Sequence, residues 1–176
     1  MTVQKISPCL WFDSEAEEAA KFYVSIFERS RILRITHYGH EGQELHGRPA
    51  GSVLAVVFEL DGCTLTALNG GPAFKFNEAV SLSVSCETQE EIDRTWEALA
   101  AGGDPKAQKC GWLKDRYGLS WQIVPSVLPE LIADEDQKRA DRAMRALLGM
   151  KKLDLDALKA AHGGKKEQVR PAAARA

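Results

Sequence analysis

Apolar and polar residues alternate along Ser7–Phe12 and again along Val80–Ser85, and each alternation is followed by a helical pattern. Period-two alternation marks a strand with one buried face. After the first strand, Ala19, Phe22, Tyr23, Ile26 and Phe27 recur every three or four residues, which predicts a helix from about Glu15 to Phe27. After the second, Ile92, Trp96 and Leu99 predict a helix over Gln89–Ala101 that stops at Gly102-Gly103. Both starts read as capping boxes, a hydroxyl at Ser14 or Thr88 with a glutamate three residues on at Glu17 or Glu91.

Further strands are predicted after each helix. In the first half they are Ile32–Tyr38, Val53–Leu60 and Cys63–Leu68, the last two joined by an Asp61-Gly62 turn. In the second half they are Lys106–Lys109, Trp112–Asp115 and Leu119–Val124, with a turn at Tyr117-Gly118. The chain therefore states one strand–helix–three-strand unit twice. Beyond Pro125 it reads as helices over Leu128–Ala133 and Gln137–Met150, then a short one from near Asp154. Ala140, Ala143, Met144, Leu147 and Leu148 form an apolar stripe that suits either the chain's own sheet or a second subunit.

Composition narrows the function classes. The 176 residues suffice for one compact domain or two small halves, and a formal charge of −2 gives no footprint for nucleic acid. No apolar run approaches a membrane span and no charged leader precedes an apolar block, so a cytoplasmic location is expected. Residues 163–176, rich in Lys, Arg, Gly, Pro and Ala, read as a disordered tail.

Cys9, Cys63, Cys86 and Cys110 are scattered singly and read as small hydrophobes, with a catalytic thiol at Cys9 or Cys110 as the lesser alternative. His37, His40 and His46 fall in or beside a glycine-rich loop without helical ligand spacing, which favours a solvated hairpin loop over a metal site. Acidic first turns at Glu15–Glu18 and Glu87–Glu91 are explained by the helix dipole, and Asp115-Arg116 reads as a surface pair.

Several segments carry a family resemblance. These are Pro8–Phe12, Phe22–Phe27, Leu68–Pro72, Phe74–Leu82 and Asp115–Val124, with a further likeness at Met150–Asp154. Together they resemble the PhnB-like branch of the vicinal oxygen chelate superfamily, the group of glyoxalases, bleomycin-resistance proteins and extradiol dioxygenases. That branch is often labelled 3-demethylubiquinone-9 3-methyltransferase-like. The resemblance implies an α+β fold in which two tandem βαβββ units, about residues 3–70 and 74–125, curl a mixed sheet into a cup. A helical extension over 126–162 would follow the 1–125 domain. It also implies a homodimer.

On that fold one strand face meets the helix and the other lines the cavity. Pro8, Leu10, Phe12, Val80, Leu82 and Val84 would face the helices. Ser7, Cys9, Trp11, Thr64, Thr66, Leu68, Ala79, Ser81, Ser83, Ser120, Gln122 and Val124 would face inward. The metal-ligand positions of the superfamily then fall on Ser7, Thr66, Ala79 and Gln122, none of them a histidine or a carboxylate. No metal and no other cofactor is expected.

The candidate ligand-binding residues are Cys9, Trp11, Thr66, Asn69, Phe76, Ser81, Ser83, Trp112 and Gln122. Each has a plainer alternative: the tryptophans as core filling, the serines as cross-strand partners, Asn69 as a turn brace. The reading is a metal-free protein binding a polar-aromatic or amphipathic small molecule. The alternative is an enzyme of the superfamily acting on a carbonyl or quinone-like substrate, although no acid–base pair faces the cavity. The methyltransferase label finds no nucleotide-type glycine loop, since Asn69-Gly70-Gly71-Pro72 leads into no helix and reads as a turn.

Overall fold

A computed structural model describes residues 5–164 as an α+β protein with two sheets. The chain divides into two compact units, Met1–Glu78 and Ala79–Ala176. The tail expected over residues 163–176 lies, from residue 165 onward, outside the described residues.

The first unit runs β1 (Cys9–Phe12), α1 (Ala16–Ile26), β2 (Arg31–His37), a four-residue helix α2 (Gln43–His46), β3 (Val53–Leu60) and β4 (Cys63–Asn69). Its sheet has the order β1-β4-β3-β2, with β1 and β4 parallel and the other pairs antiparallel. The turn expected at Asp61-Gly62 is present, both residues having positive φ (43° and 84°) as a two-residue hairpin requires. Alternation sorts the faces: Leu10, Phe12, Val56, Phe58, Leu65 and Ala67 are buried. Ala16, Ala19, Ala20 and Tyr23 of α1 are buried with them, and Tyr23 stacks on Phe58 with ring centroids 6.3 Å apart.

The capping box expected at Ser14 does not form. Glu15 occupies the N-cap without a side-chain hydrogen bond, and Glu17 turns outward to pair with Lys21 at 2.7 Å. The N–H of Ala16 instead donates to Asn69 Oδ1 at 2.8 Å, from the far end of β4. A buried acceptor supplied by the sheet replaces the local hydroxyl. The second is present in part: Thr88 Oγ1 accepts from the N–H of Glu91 at 3.2 Å, while the Glu91 carboxylate reaches one residue past the cap and accepts from the N–H of Glu87 at 2.8 Å.

The second unit runs β5 (Ser81–Cys86), α3 (Gln89–Ala100), β6 (Trp112–Lys114), β7 (Ser120–Pro125), α4 (Leu128–Ile132), α5 (Gln137–Gly149) and α6 (Leu155–His162). Its sheet has the order β5-β7-β6, with β5 and β7 parallel. Two sequence expectations fail here. The strand over Lys106–Lys109 is replaced by a 3-10 turn at Pro105–Ala107, its start held by Asp104 Oδ1 accepting from the N–H of Lys106. Proline has no N–H for a ladder, and only Lys109 still pairs, bridging to Trp112 across Cys110-Gly111. Val80, expected to face α3, precedes the strand and is 71% exposed.

Asp115 is the third correction, because it is buried rather than half of a surface pair. Its Oδ1 accepts from the N–H groups of Tyr117 (2.8 Å) and Leu119 (3.1 Å), and its Oδ2 accepts from Trp121 Nε1 (2.8 Å). One carboxylate thus closes the turn into β7 and orients the tryptophan behind that strand.

The C-terminal helices share a cluster of Leu128, Leu131, Ala143, Leu147, Leu153 and Leu158. The stripe on α5 is therefore only partly used: Ala140, Ala143 and Leu147 are buried, while Met144 and Leu148 remain exposed. Residues 150–154 lash this cluster to the rest of the unit. The carbonyls of Met150 and Lys151 accept from the N–H groups of Cys110 and Gly111, each at 2.8 Å. Gln89 bonds the carbonyl of Leu153 and the N–H of Leu155, Lys152 pairs with Asp93 at 2.6 Å, and Asp154 caps α6. At the far end of α6, His162 Nε2 lies 2.8 Å from Asp134 Oδ2. Hydrogen bonds, that of the Asp136 N–H foremost, hold the Asp134 carboxyl below its ordinary range.

Candidate functional site

Each sheet has one face against its helix and one turned away from it, and the second faces carry the candidate residues. On the first sheet, register aligns Cys9 with Thr66, Thr66 with Val57, and Val57 with Arg34. The adjacent row is Trp11, Leu68, Ala55 and Thr36. Cys9 is exposed, and Trp11, Thr66, Leu68, Ala55 and Val57 are half-buried, as their parity predicts.

Trp11 is fixed from below. Its Nε1 donates to the carbonyl of Gly71 at 2.8 Å, its ring lies over Gly70, and Phe74 meets it edge-on at 4.9 Å. The glycine pair is spent on seating this indole.

Two candidates fall on the other side. Asn69 shares the parity of Leu65 and Ala67 and is buried. Besides capping α1, its Nδ2 donates to the carbonyl of Val53 at 3.0 Å and its carbonyl accepts from Tyr38 Oη at 2.6 Å. Of the two roles considered for Asn69, bracing is the one its bonds express. Phe76 packs edge-on against Phe12, a helix-facing residue, with centroids 5.2 Å apart.

On the second sheet, Ser83 and Trp112 flank Gln122 in register, and Ser81 and Lys114 flank Ser120. Gln122 Nε2 donates to Ser81 Oγ at 2.9 Å. The Ser120 hydroxyl is fully buried and has no hydrogen-bond partner among the described residues. Its inward parity was legible, but its isolation depends on neighbours that a sequence does not place. Trp121, of opposite parity, is buried and bonded to Asp115.

Arg34 is the residue that sequence reasoning missed. Strict alternation would put it on the same face as Ile32, which pairs with the buried Phe58. A register shift between Ile32 and Arg34 leaves Leu33 unopposed and 44% exposed, and it turns Arg34 into line with Val57.

The metal-ligand positions of the resembled superfamily do not fit a divalent ion in this chain. Ser7, Thr66, Ala79 and Gln122 offer hydroxyls, a methyl and an amide, where such ions need carboxylate, imidazole or thiolate donors. Among the described residues no three His, Cys, Asp or Glu side chains converge on a metal-sized space. The loop histidines have other surroundings: His46 Nδ1 accepts from the N–H of Arg48 at 3.0 Å and its ring lies against Tyr38 at 4.5 Å. His37 and His40 are exposed.

The cysteines differ sharply in chemistry. Burial, reinforced by the Glu91 charge and opposed by Arg94, pushes the Cys86 thiol up to about 12 from an ordinary 9.0. The neutral thiol's contribution to stability is whole below about pH 9, where neither state ionises, and is lost as pH rises toward 12. In the native protein at pH 8, the exposed Cys9 and Cys63 are expected to react readily with a disulfide reagent, and Cys86 only on unfolding. A Cys86→Ala variant should lose less stability than the wild type between pH 9 and 12. Native-state labelling of Cys86 at the rate of Cys9 would contradict this picture.

Comparison with known proteins agrees with the fold. A family model described as 3-demethylubiquinone-9 3-methyltransferase matches residues 4–124. A PhnB protein from Bacillus cereus is similar at 38% identity and a TM-score of 0.59, over 69% of this chain and 99% of its own. Protein PA1353 from Pseudomonas aeruginosa shares the fold at 20% identity and a TM-score of 0.53, over 70% of this chain and 98% of its own. No curated protein matches the chain. No helix among the described residues is long and apolar enough to cross a membrane.

Proposed function

The chain belongs to the 3-demethylubiquinone-9 3-methyltransferase-like family of the vicinal oxygen chelate superfamily, and on that premise we propose that it binds a small organic molecule without a metal. The ligand would be polar-aromatic or amphipathic, held on the sheet faces turned away from the helices. The observation that carries this reading is the bonded pair Gln122 and Ser81, a half-buried amide and hydroxyl with Ser83 and Trp112 in register beside the amide. Each sheet by itself offers aromatic surface and polar contacts, Trp112 beside Gln122 on the second and Trp11 with Thr66 and Cys9 on the first.

Neutral, directional groups of this kind orient a ligand but do not shuttle protons, which favours binding over acid–base catalysis. Methyl transfer, the activity in the family's description, gains no support from Asn69-Gly70-Gly71-Pro72, whose glycines seat Trp11 and whose asparagine caps α1. A homodimer in the cytoplasm, with residues 1–125 as the binding domain, completes the proposal.

A thermal-shift screen of divalent metals, quinones and small aromatic acids and amides tests it. Organic ligands should raise the melting temperature in the presence of a chelator, and Gln122→Ala should reduce that rise. A large stabilisation that depends on a metal would overturn the metal-free reading.

A further inference from the structure

We infer that the first sheet takes an organic oxyanion of the carboxylate class, with Arg34 as its anchor. This rests on the small-molecule reading above and names the ligand's charge. The formal charges on that face are those of Arg31, Arg34 and Glu59. Arg31 and Glu59 pair at 3.4 Å and cancel. Arg34 has no side-chain partner among the described residues, so the face carries one uncompensated positive charge.

The bulge shows that this placement is built into the strand. Bulges re-aim side chains at the cost of a break in the ladder, and here the break also exposes Leu33. Without it Arg34 would point toward α1, among the residues that pair with the buried Val56 and Phe58. With it the guanidinium stands at one end of a half-buried apolar strip formed by Val57, Ala55 and Leu68. Thr66 lies about 10 Å across the sheet from Arg34, two strand spacings away. A carboxylate would accept two parallel N–H bonds from the guanidinium. The ligand's apolar body would then cover the strip, with its far end near Thr66 and Trp11.

Benzoate and benzamide, nearly equal in shape and different in charge, are the probes. Titration calorimetry on the full chain at low ionic strength should show benzoate binding about tenfold more tightly than benzamide, the value of one charge-assisted pair. The preference should shrink with added salt. Arg34→Gln should bring the two affinities together by lowering that for benzoate far more than that for benzamide, and Arg34→Lys should keep part of the preference. The double variant Arg31→Gln/Glu59→Gln, which removes a cancelling pair together, should leave it intact, and unchanged melting temperatures would show that the variants fold. Equal binding of both probes by the wild type, or a preference that survives Arg34→Gln, overturns the inference and leaves the small-molecule reading standing. Failure of the wild type to bind either probe overturns the inference alone if the thermal-shift screen finds another organic ligand, and both readings if it finds none.

Discussion

Replacing Asp115 with alanine is expected to destabilise the protein by roughly 3–5 kcal/mol, the upper range for a single substitution. The carboxylate is 2% exposed and serves three donors, the N–H groups of Tyr117 and Leu119 and the indole N–H of Trp121. Alanine removes every acceptor at once and leaves those donors to find water in a packed interior. The turn would loosen first, and with it the entry to β7. Asp115→Asn keeps one oxygen for the backbone pair and presents an amide to Trp121, so about half of that loss is expected. Urea unfolding followed by circular dichroism measures both variants, and near-ultraviolet signals report on Trp121. An alanine variant within 1 kcal/mol of wild type would mean that the carboxylate is dispensable.

Gly70→Ala is expected to cost about 2–3 kcal/mol for a different reason, overpacking. A Cβ at Gly70 would sit 2.1 Å from Cζ2 of Trp11, inside any tolerable contact. The indole must then tilt out, giving up its hydrogen bond to Gly71 and its edge contact with Phe74. A red shift in tryptophan emission should accompany the loss of stability. Coupling supplies the decisive control: in a Trp11→Ala background, the same glycine substitution should become close to neutral. An undiminished penalty there would place the strain in the backbone and not against the ring.

Much of the fold was legible because alternation and helical spacing are local signals. Val53–Leu60 and the faces of β4 and β7 follow from single runs of residues. What escaped depends on contacts between distant positions. Ser14 has the residue type of a cap, yet Asn69, more than fifty residues away, delivers the oxygen. Asp115 looks like a turn residue until Trp121 is placed behind it. Parity could have placed Asn69 on the helix-facing side, since it steps with Leu65 and Ala67. Arg34 could not have been found that way, because a bulge breaks the very periodicity used to assign faces.

The lashing of residues 150–154 onto Cys110, Gly111 and Gln89 has a consequence for where this protein ends as a physical object. Inheritance and cooperativity draw different borders. The shared stretch stops at residue 124, whereas the backbone amides of Cys110 and Gly111 are satisfied by carbonyls more than twenty-five residues beyond it. A chain trimmed to the family's outline would leave two donors beside Trp112 without their acceptors and would bare Cys110 and Val124, which pack against the leucine cluster. The helical appendix is therefore part of what melts, and part of what keeps the second sheet's edge in shape.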